Sequence, residues 1–245
     1  MNKGVSTSAP LRRLPVGATY NLRDVGDYPA AGGKRTRWGR LFRSDAAHFT
    51  TATNISALGL RTVIDLRDDA EITVMPTGLD TLVPAVLNRP LEPRSLMSRT
   101  SEGTSDPLGE LYVAVVRQRG PQLAAIVTDL ARPGALPALV HCAAGKDRTG
   151  VVIALVLSAI GVPDDVVTAD YALTSTYLTP AFFAALPAES GAAHPADETM
   201  HGARPESMAA MLRALTTDYG GTRNYLVGHG VPSQAIDDLR TALTH

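Results

Sequence analysis

"ALVHCAAGKDRTGVV", residues 138–152, contains the only cysteine of a 245-residue chain. A compact apolar run, "LPALVH", leads into Cys142 with the composition of a buried strand. Three small residues follow, Ala143, Ala144 and Gly145, and then Lys146, Asp147 and Arg148. The next run, "RTGVVIALVLSAIG", has the length of a mostly apolar helix, with Gly161 to end it and Pro163 just beyond. The stretch therefore reads as strand, tight loop, helix. It predicts an α/β fold with Cys142 at the carboxyl end of a strand, the edge at which open α/β sheets bind ligands.

The sequence on either side is consistent with that scaffold. "NLRDVGDYPAAGGKRTRWGRLFRSD" is rich in turn residues and predicts hairpins or short strands. "TTATNISALGL" predicts a short helix ended near Gly59, and "RTVIDLR" a buried strand. "TLVPAVLNRPL" holds a further strand, placed at an edge by Pro84. Residues 93–107 read as a polar loop. "LGELYVAVVRQRG" and "PQLAAIVTDLARPG" read as two helices broken at Gly120-Pro121. "PDDVVTADYALTSTYL" begins another helix with two aspartates at its positive end. After a loop over 187–203, "PESMAAMLRALTTDYGG", "NYLVGHG" and "SQAIDDLRTALTH" complete the chain as helices. The expected architecture is a central, mostly parallel sheet flanked by helices, with a helical C-terminal part. Residues 1–18 are expected to be a loose N-terminal arm and 19–245 a single domain.

Composition excludes several function classes. Hydrophobic residues make up 44% and charged residues 19%, as in ordinary soluble globular domains. A formal net charge of -1 gives no global basic field, so nucleic acid is not an expected partner. One cysteine cannot form an internal disulfide, which fits a reducing compartment. "MNKGVSTSAPLRRLPVG" has no apolar core of signal-peptide length, and the run Val151–Ile160 is too short to span a bilayer. The expectation is a cytoplasmic protein without stable membrane insertion. His48, His194, His201, His229 and His245 show no metal-ligand spacing, so neither a metal nor another cofactor is expected.

The loop itself predicts chemistry. Small residues between a strand and a helix let successive backbone N–H groups converge on one concavity, and the positive end of the helix reinforces their field. Such a nest holds an anion. Arg148, six positions after Cys142, adds a fork matched to two oxygens of a phosphate. Ala143, Ala144, Gly145, Lys146, Asp147, Arg148 and Thr149 are the expected phosphate-binding residues. The same field favours the thiolate, the nucleophilic form of cysteine. Cys142 is thus expected to attack phosphorus and form a phosphocysteine that water then hydrolyses, with Thr149 placed to donate to the sulfur. The plainer alternative is a buried space-filling cysteine.

"HCAAGKDRTG" resembles the signature of the cysteine-based protein tyrosine phosphatase superfamily. With "NLRDVGDY", "GRLFRSD", "VIDLR" and "DYGGTRNYLVGHGV", the chain from Asn21 onward is similar to the bacterial tyrosine phosphatase group of broad specificity. That group includes a secreted mycobacterial tyrosine/serine phosphatase and enzymes that accept phosphoinositides. The resemblance implies a tyrosine phosphatase fold and makes Asp147 the general acid, a role filled in many relatives by an aspartate of a W-P-D loop. No W-P-D occurs here, and the sole tryptophan is Trp38. The alternative for Asp147 is a structural carboxylate that orients Arg148. Glu92 stands where relatives carry an aspartate, and Asp106 is a weaker acid candidate. Asp65 and Asp68 read as structural, as do Arg23, Asp24, Arg43 and Ser44. Lys146 either offers charge to a second phosphate, as in phosphoinositide phosphatases, or is simply solvated. His141 is expected to anchor the loop. Phe182 and Phe183 either close over the pocket or pack in the core.

The expected activity is hydrolysis of phosphate monoesters on phosphotyrosine, with phosphoserine, phosphothreonine or phosphoinositides also within range. The alternative substrate is a small metabolite such as a nucleoside, sugar or inositol phosphate. A phosphate-binding module without turnover, or a sulfurtransferase, fits the loop less well.

Overall fold

Three four-residue runs, Leu41–Ser44, Thr62–Asp65 and Ala138–His141, are buried at every position. Strands covered on both faces need such runs. The computed structural model describes residues 12–14, 16, 19–46, 55–91, 104–186 and 202–245. Its strands are β1 (Arg23–Asp24), β2 (Pro29–Ala30), β3 (Lys34–Arg35), β4 (Leu41–Ser44), β5 (Thr62–Asp65), β6 (Ala85–Asn88) and β7 (Ala138–His141). Five of them form one sheet in the order β1-β4-β7-β5-β6, and β2 and β3 form a small hairpin. β4, β7, β5 and β6 run parallel, and only β1 is antiparallel to its neighbour. The expectation of a mostly parallel sheet holds, and the strand after Pro84 is the edge strand β6.

Register divides the core. Leu139 pairs with Phe42 on one side and Val63 on the other, and these three belong to one apolar cluster with Leu22, Ile55 and Leu79. Their neighbours Leu41, Ile64 and Val140 belong to the larger cluster. The period-two alternation of side chains sends each set to its own face.

Nine helices flank the sheet among the described residues: α1 (Asp69–Val74), α2 (Pro107–Gln118), α3 (Gly120–Ala131), α4 (Asp147–Ala159), α5 (Asp164–Tyr177), α6 (Pro180–Ala185), α7 (Pro205–Tyr219), α8 (Thr222–Gly228) and α9 (Ser233–Leu243). α4 is buried nearly throughout, as its composition requires, and ends at Gly161 with φ +91°. α2 and α3 break where Gly120-Pro121 predicted. The helix expected before Gly59 is a 3-10 turn over Ser56–Leu58. α1 was not expected: it is six residues long, and tertiary contacts rather than length sustain it.

The loose arm needs a partial correction. Residues 1–11 lie outside the described residues, but Arg13 bridges to Arg23 and the Leu14 amide donates to Leu22 O (3.0 Å). The arm is tied to β1 well before residue 19. The loops expected over 93–107 and 187–203 also fall mostly outside the described residues.

Candidate functional site

The turn from β7 into α4 depends on Gly145. Its φ is +66°, a left-handed value that costs a side chain energy, and a Cβ there would overlap the Ser44 carbonyl. Around this turn the loop carbonyls are held from outside. The Ala46 amide donates to Ala143 O (2.9 Å), and Asn21 Nδ2 donates to Ala144 O (3.0 Å) and Gly145 O (3.1 Å). Arg43 Nη2 donates to Gly145 O (2.7 Å). The loop carbonyls are thus occupied, and the loop amides are not. Among the described residues, no protein acceptor takes the amides of Ala143, Ala144, Gly145, Asp147 or Arg148. Cys142 lies at the floor of this loop, 2% exposed.

Arg148, on the first turn of α4, is fixed by a residue the sequence reading missed. Its Nη1 and Nη2 donate to Glu71 Oε2 and Oε1, both at 2.6 Å, and Nη1 also reaches Leu66 O (3.2 Å). Burial works against the guanidinium charge, but the forked Glu71 bonds and neighbouring negative charge outweigh it, so Arg148 stays protonated. Glu71 is itself fixed by a capping box at the start of α1. The Asp68 side chain accepts from the Glu71 amide (2.8 Å), and Glu71 Oε2 accepts from the Asp68 amide (3.1 Å). "DDAE" is the legible signal for that box.

Asp147 is not the residue that orients Arg148, since Glu71 does so. Its Oδ1 instead accepts a hydrogen bond from Tyr112, and the side chain remains one-third exposed at 33%. Lys146 is buried rather than solvated, with Nζ 3.6 Å from Asp147 Oδ1. Thr149 is fully buried, and its hydroxyl has no hydrogen-bond partner among the described residues, so it makes no bond to the sulfur here. His141 is fully buried, with Nδ1 3.4 Å from Cys142 O and Nε2 3.5 Å from Asp65 Oδ2. Burial, more than any neighbouring charge, pushes its titration down, so it sits neutral as an anchor.

The remaining expected residues have structural work. Asp106 caps α2, its Oδ1 accepting from the Gly109 amide (3.0 Å) and from Ser207 Oγ (2.5 Å). Asp65 is forked by Arg67 (2.9 and 2.7 Å) and Asp68 caps α1. Asp24 accepts from the Gly26 amide (2.8 Å), and Ser44 is buried on β4 beside the loop. Arg23 and Arg43, both buried, converge on Asp170 of α5 at 3.2 and 2.7 Å, a partner the sequence reading missed. Phe182 is buried against Tyr20, ring centroids 5.5 Å apart, and also touches Phe183. Glu92 lies outside the described residues. Among those described, no group of three or more His, Cys, Asp or Glu could hold a metal, and no helix is long and apolar enough to cross a membrane.

A cradle of unoccupied amides, a rigid arginine fork and a buried thiol can hold a tetrahedral oxyanion against sulfur. Comparison with known proteins agrees in kind. Residues 14–245 match the profile of the tyrosine phosphatase family. A "Triple specificity protein phosphatase PtpB" of Mycobacterium tuberculosis is 31% identical over 284 aligned positions, covering 95% of this chain and 99% of the relative. A "Tyrosine-protein phosphatase" of Nostoc commune is 30% identical over 204 positions, covering 77% of this chain and 68% of the relative.

Proposed function

The chain belongs to the tyrosine phosphatase family, and from that premise we propose that it hydrolyses phosphate monoesters through a phosphocysteine on Cys142, with phosphotyrosine as the leading substrate. One observation carries the proposal: Asn21 and Arg43 hold the carbonyls of the loop after Cys142, and Glu71 fixes Arg148 at its far end, which leaves the loop amides available to an anion.

In the first step the Cys142 thiolate, favoured by the positive end of α4 and by Arg148, attacks phosphorus. The S–P bond forms, the P–O bond to the leaving group breaks, and Asp147 gives its proton to the departing oxygen. In the second step Asp147 takes a proton from water. The water oxygen attacks phosphorus, and phosphate leaves as the thiolate is restored. The amides of Ala143, Ala144, Gly145, Asp147 and Arg148 and the guanidinium hold the equatorial oxygens in both transition states. Lys146, buried beside Asp147, adds a basic group next to the loop, which suits phosphoinositides or a second phosphate. The name of the mycobacterial relative, a triple-specificity phosphatase, supports a range beyond phosphotyrosine.

The test is phosphate release from a panel: phosphotyrosine and phosphoserine peptides, a phosphoinositide, and nucleoside and sugar monophosphates. Phosphotyrosine should be turned over fastest, and Cys142→Ser should reduce every rate to background. A preferred nucleoside or sugar phosphate would replace the protein substrate with a metabolite. Turnover that survives Cys142→Ser would overturn the nucleophile.

A further inference from the structure

Three helices bring hydroxyls and a carboxyl into one line. Tyr112 of α2 donates to Oδ1 of Asp147, the first residue of α4. The hydroxyl of Tyr171, on α5, lies 2.7 Å from that of Tyr112, and the two rings meet edge to face at 5.8 Å. Both tyrosines are 1% exposed. Each hydroxyl carries a single hydrogen. Tyr112 gives its own to Asp147, so Tyr171 must be the donor in the second bond. The chain of bonds is therefore directed: Tyr171 to Tyr112 to Asp147. Burial first, and the charge of Asp147 second, push the titration of both hydroxyls up, so neither gives up its proton. A small pocket beside the contact is lined by Leu91, Leu111, Val115 and Val151 together with Asp147 and Arg148.

We propose that Tyr112, backed by Tyr171, is a positioning residue for general acid catalysis: it occupies Oδ1 of Asp147 so that the transferable proton resides on Oδ2. This rests on the proposed role of Asp147 as the acid. The donor also stabilises the carboxylate left after proton transfer, and the incoming Tyr171 bond polarises the Tyr112 hydroxyl and strengthens that effect. The carboxylate is then held in place to accept the proton of the attacking water. No proton leaves the tyrosines at any stage.

The test compares Tyr112→Phe and Tyr171→Phe, which keep both rings, with Asp147→Asn. The readout is kcat/KM across aryl and alkyl phosphates of increasing leaving-group basicity. General acids supply about 10²–10⁴-fold, so Tyr112→Phe should lower kcat/KM on a phosphoserine peptide by about 10-fold and on p-nitrophenyl phosphate by less than about 3-fold. Tyr171→Phe should do the same more weakly. In the Asp147→Asn background, Tyr112→Phe should add no further leaving-group dependence. A lower melting temperature with unchanged leaving-group slope would make Tyr112 merely structural and sink the inference. If Asp147→Asn itself leaves the slope unchanged, the acid assignment fails first, and the inference with it.

Discussion

At Gly145 a single hydrogen in place of a side chain makes the site's geometry accessible. The left-handed backbone and the Ser44 carbonyl leave no room for a Cβ. Gly145→Ala should therefore lose at least ~1–2 kcal/mol from backbone strain alone. The larger effect should be on function, because displacing Gly145 O breaks its bonds from Asn21 and Arg43 and turns the amides away from the concavity. Urea melts paired with kcat/KM check this. A small loss of stability with a drop in kcat/KM of about 100-fold or more is expected, on the scale of losing a preorganised oxyanion donor. A variant with undiminished kcat/KM would show that the amides do not need this turn. The sequence displayed this residue openly, since small residues in a strand–loop–helix already imply a wrapped backbone. It did not display Tyr112, which lies 35 positions from Asp147. A tyrosine within "LGELYVAVVRQRG" is indistinguishable from core until the helices are packed.

Between elements, Asp170 is the tie that holds α5 to the sheet and the loop. It is buried and receives bonds from Arg23 of β1, Arg43 of β4 and Tyr28 (2.8 Å). Arg43 continues to Gly145 O, and Arg23 donates to Asn21 Oδ1, whose amide nitrogen holds Ala144 O. Burial opposes the Asp170 charge, but the two guanidiniums outweigh it and hold the carboxyl below its ordinary value of 3.8. Burial, with the like charge of Arg43 next, pushes Arg23 down to about 10. A carboxyl depressed on folding contributes stability above its unfolded value and loses that contribution as pH falls below it. Asp170→Asn should therefore cost about 3–5 kcal/mol at pH 7, because two buried arginines then lack a counter-charge. The gap from wild type should narrow as pH drops below about 4. Urea midpoints at pH 7, 5 and 3 provide the check, and a gap constant with pH would contradict the ion-pair account. Arg23 and Arg43 were legible as structural residues within "NLRDVGDY" and "GRLFRSD", but their partner was not. Asp170 sits 147 positions from Arg23, inside a helix whose sequence signal was the pair of aspartates at its positive end.

Across the whole molecule, the legible parts were those with local cause. Apolar runs bounded by glycine and proline located β5, β7 and α4, and Pro84 located the edge of the sheet. The missed parts arise from packing. α1 is too short to announce itself, yet it carries Glu71 and so the orientation of Arg148. Sheet order brings β7 between β4 and β5, so the loop after β7 meets Ser44 and Ala46 on one side and Leu66 on the other. That meeting frames the loop between a cysteine and an arginine six positions apart, the proposed phosphate cradle. The central claim is that this cradle forms a covalent bond to its substrate through sulfur. The most direct measurement is acid quenching during turnover, followed by mass spectrometry of the peptide containing Cys142. One phosphoryl group is expected on Cys142, absent from Cys142→Ser; with p-nitrophenyl phosphate, whose leaving group needs no proton, it should accumulate further in Asp147→Asn, where water is no longer deprotonated. Steady turnover with no phosphoryl group on Cys142, or with the group on another residue, would contradict it.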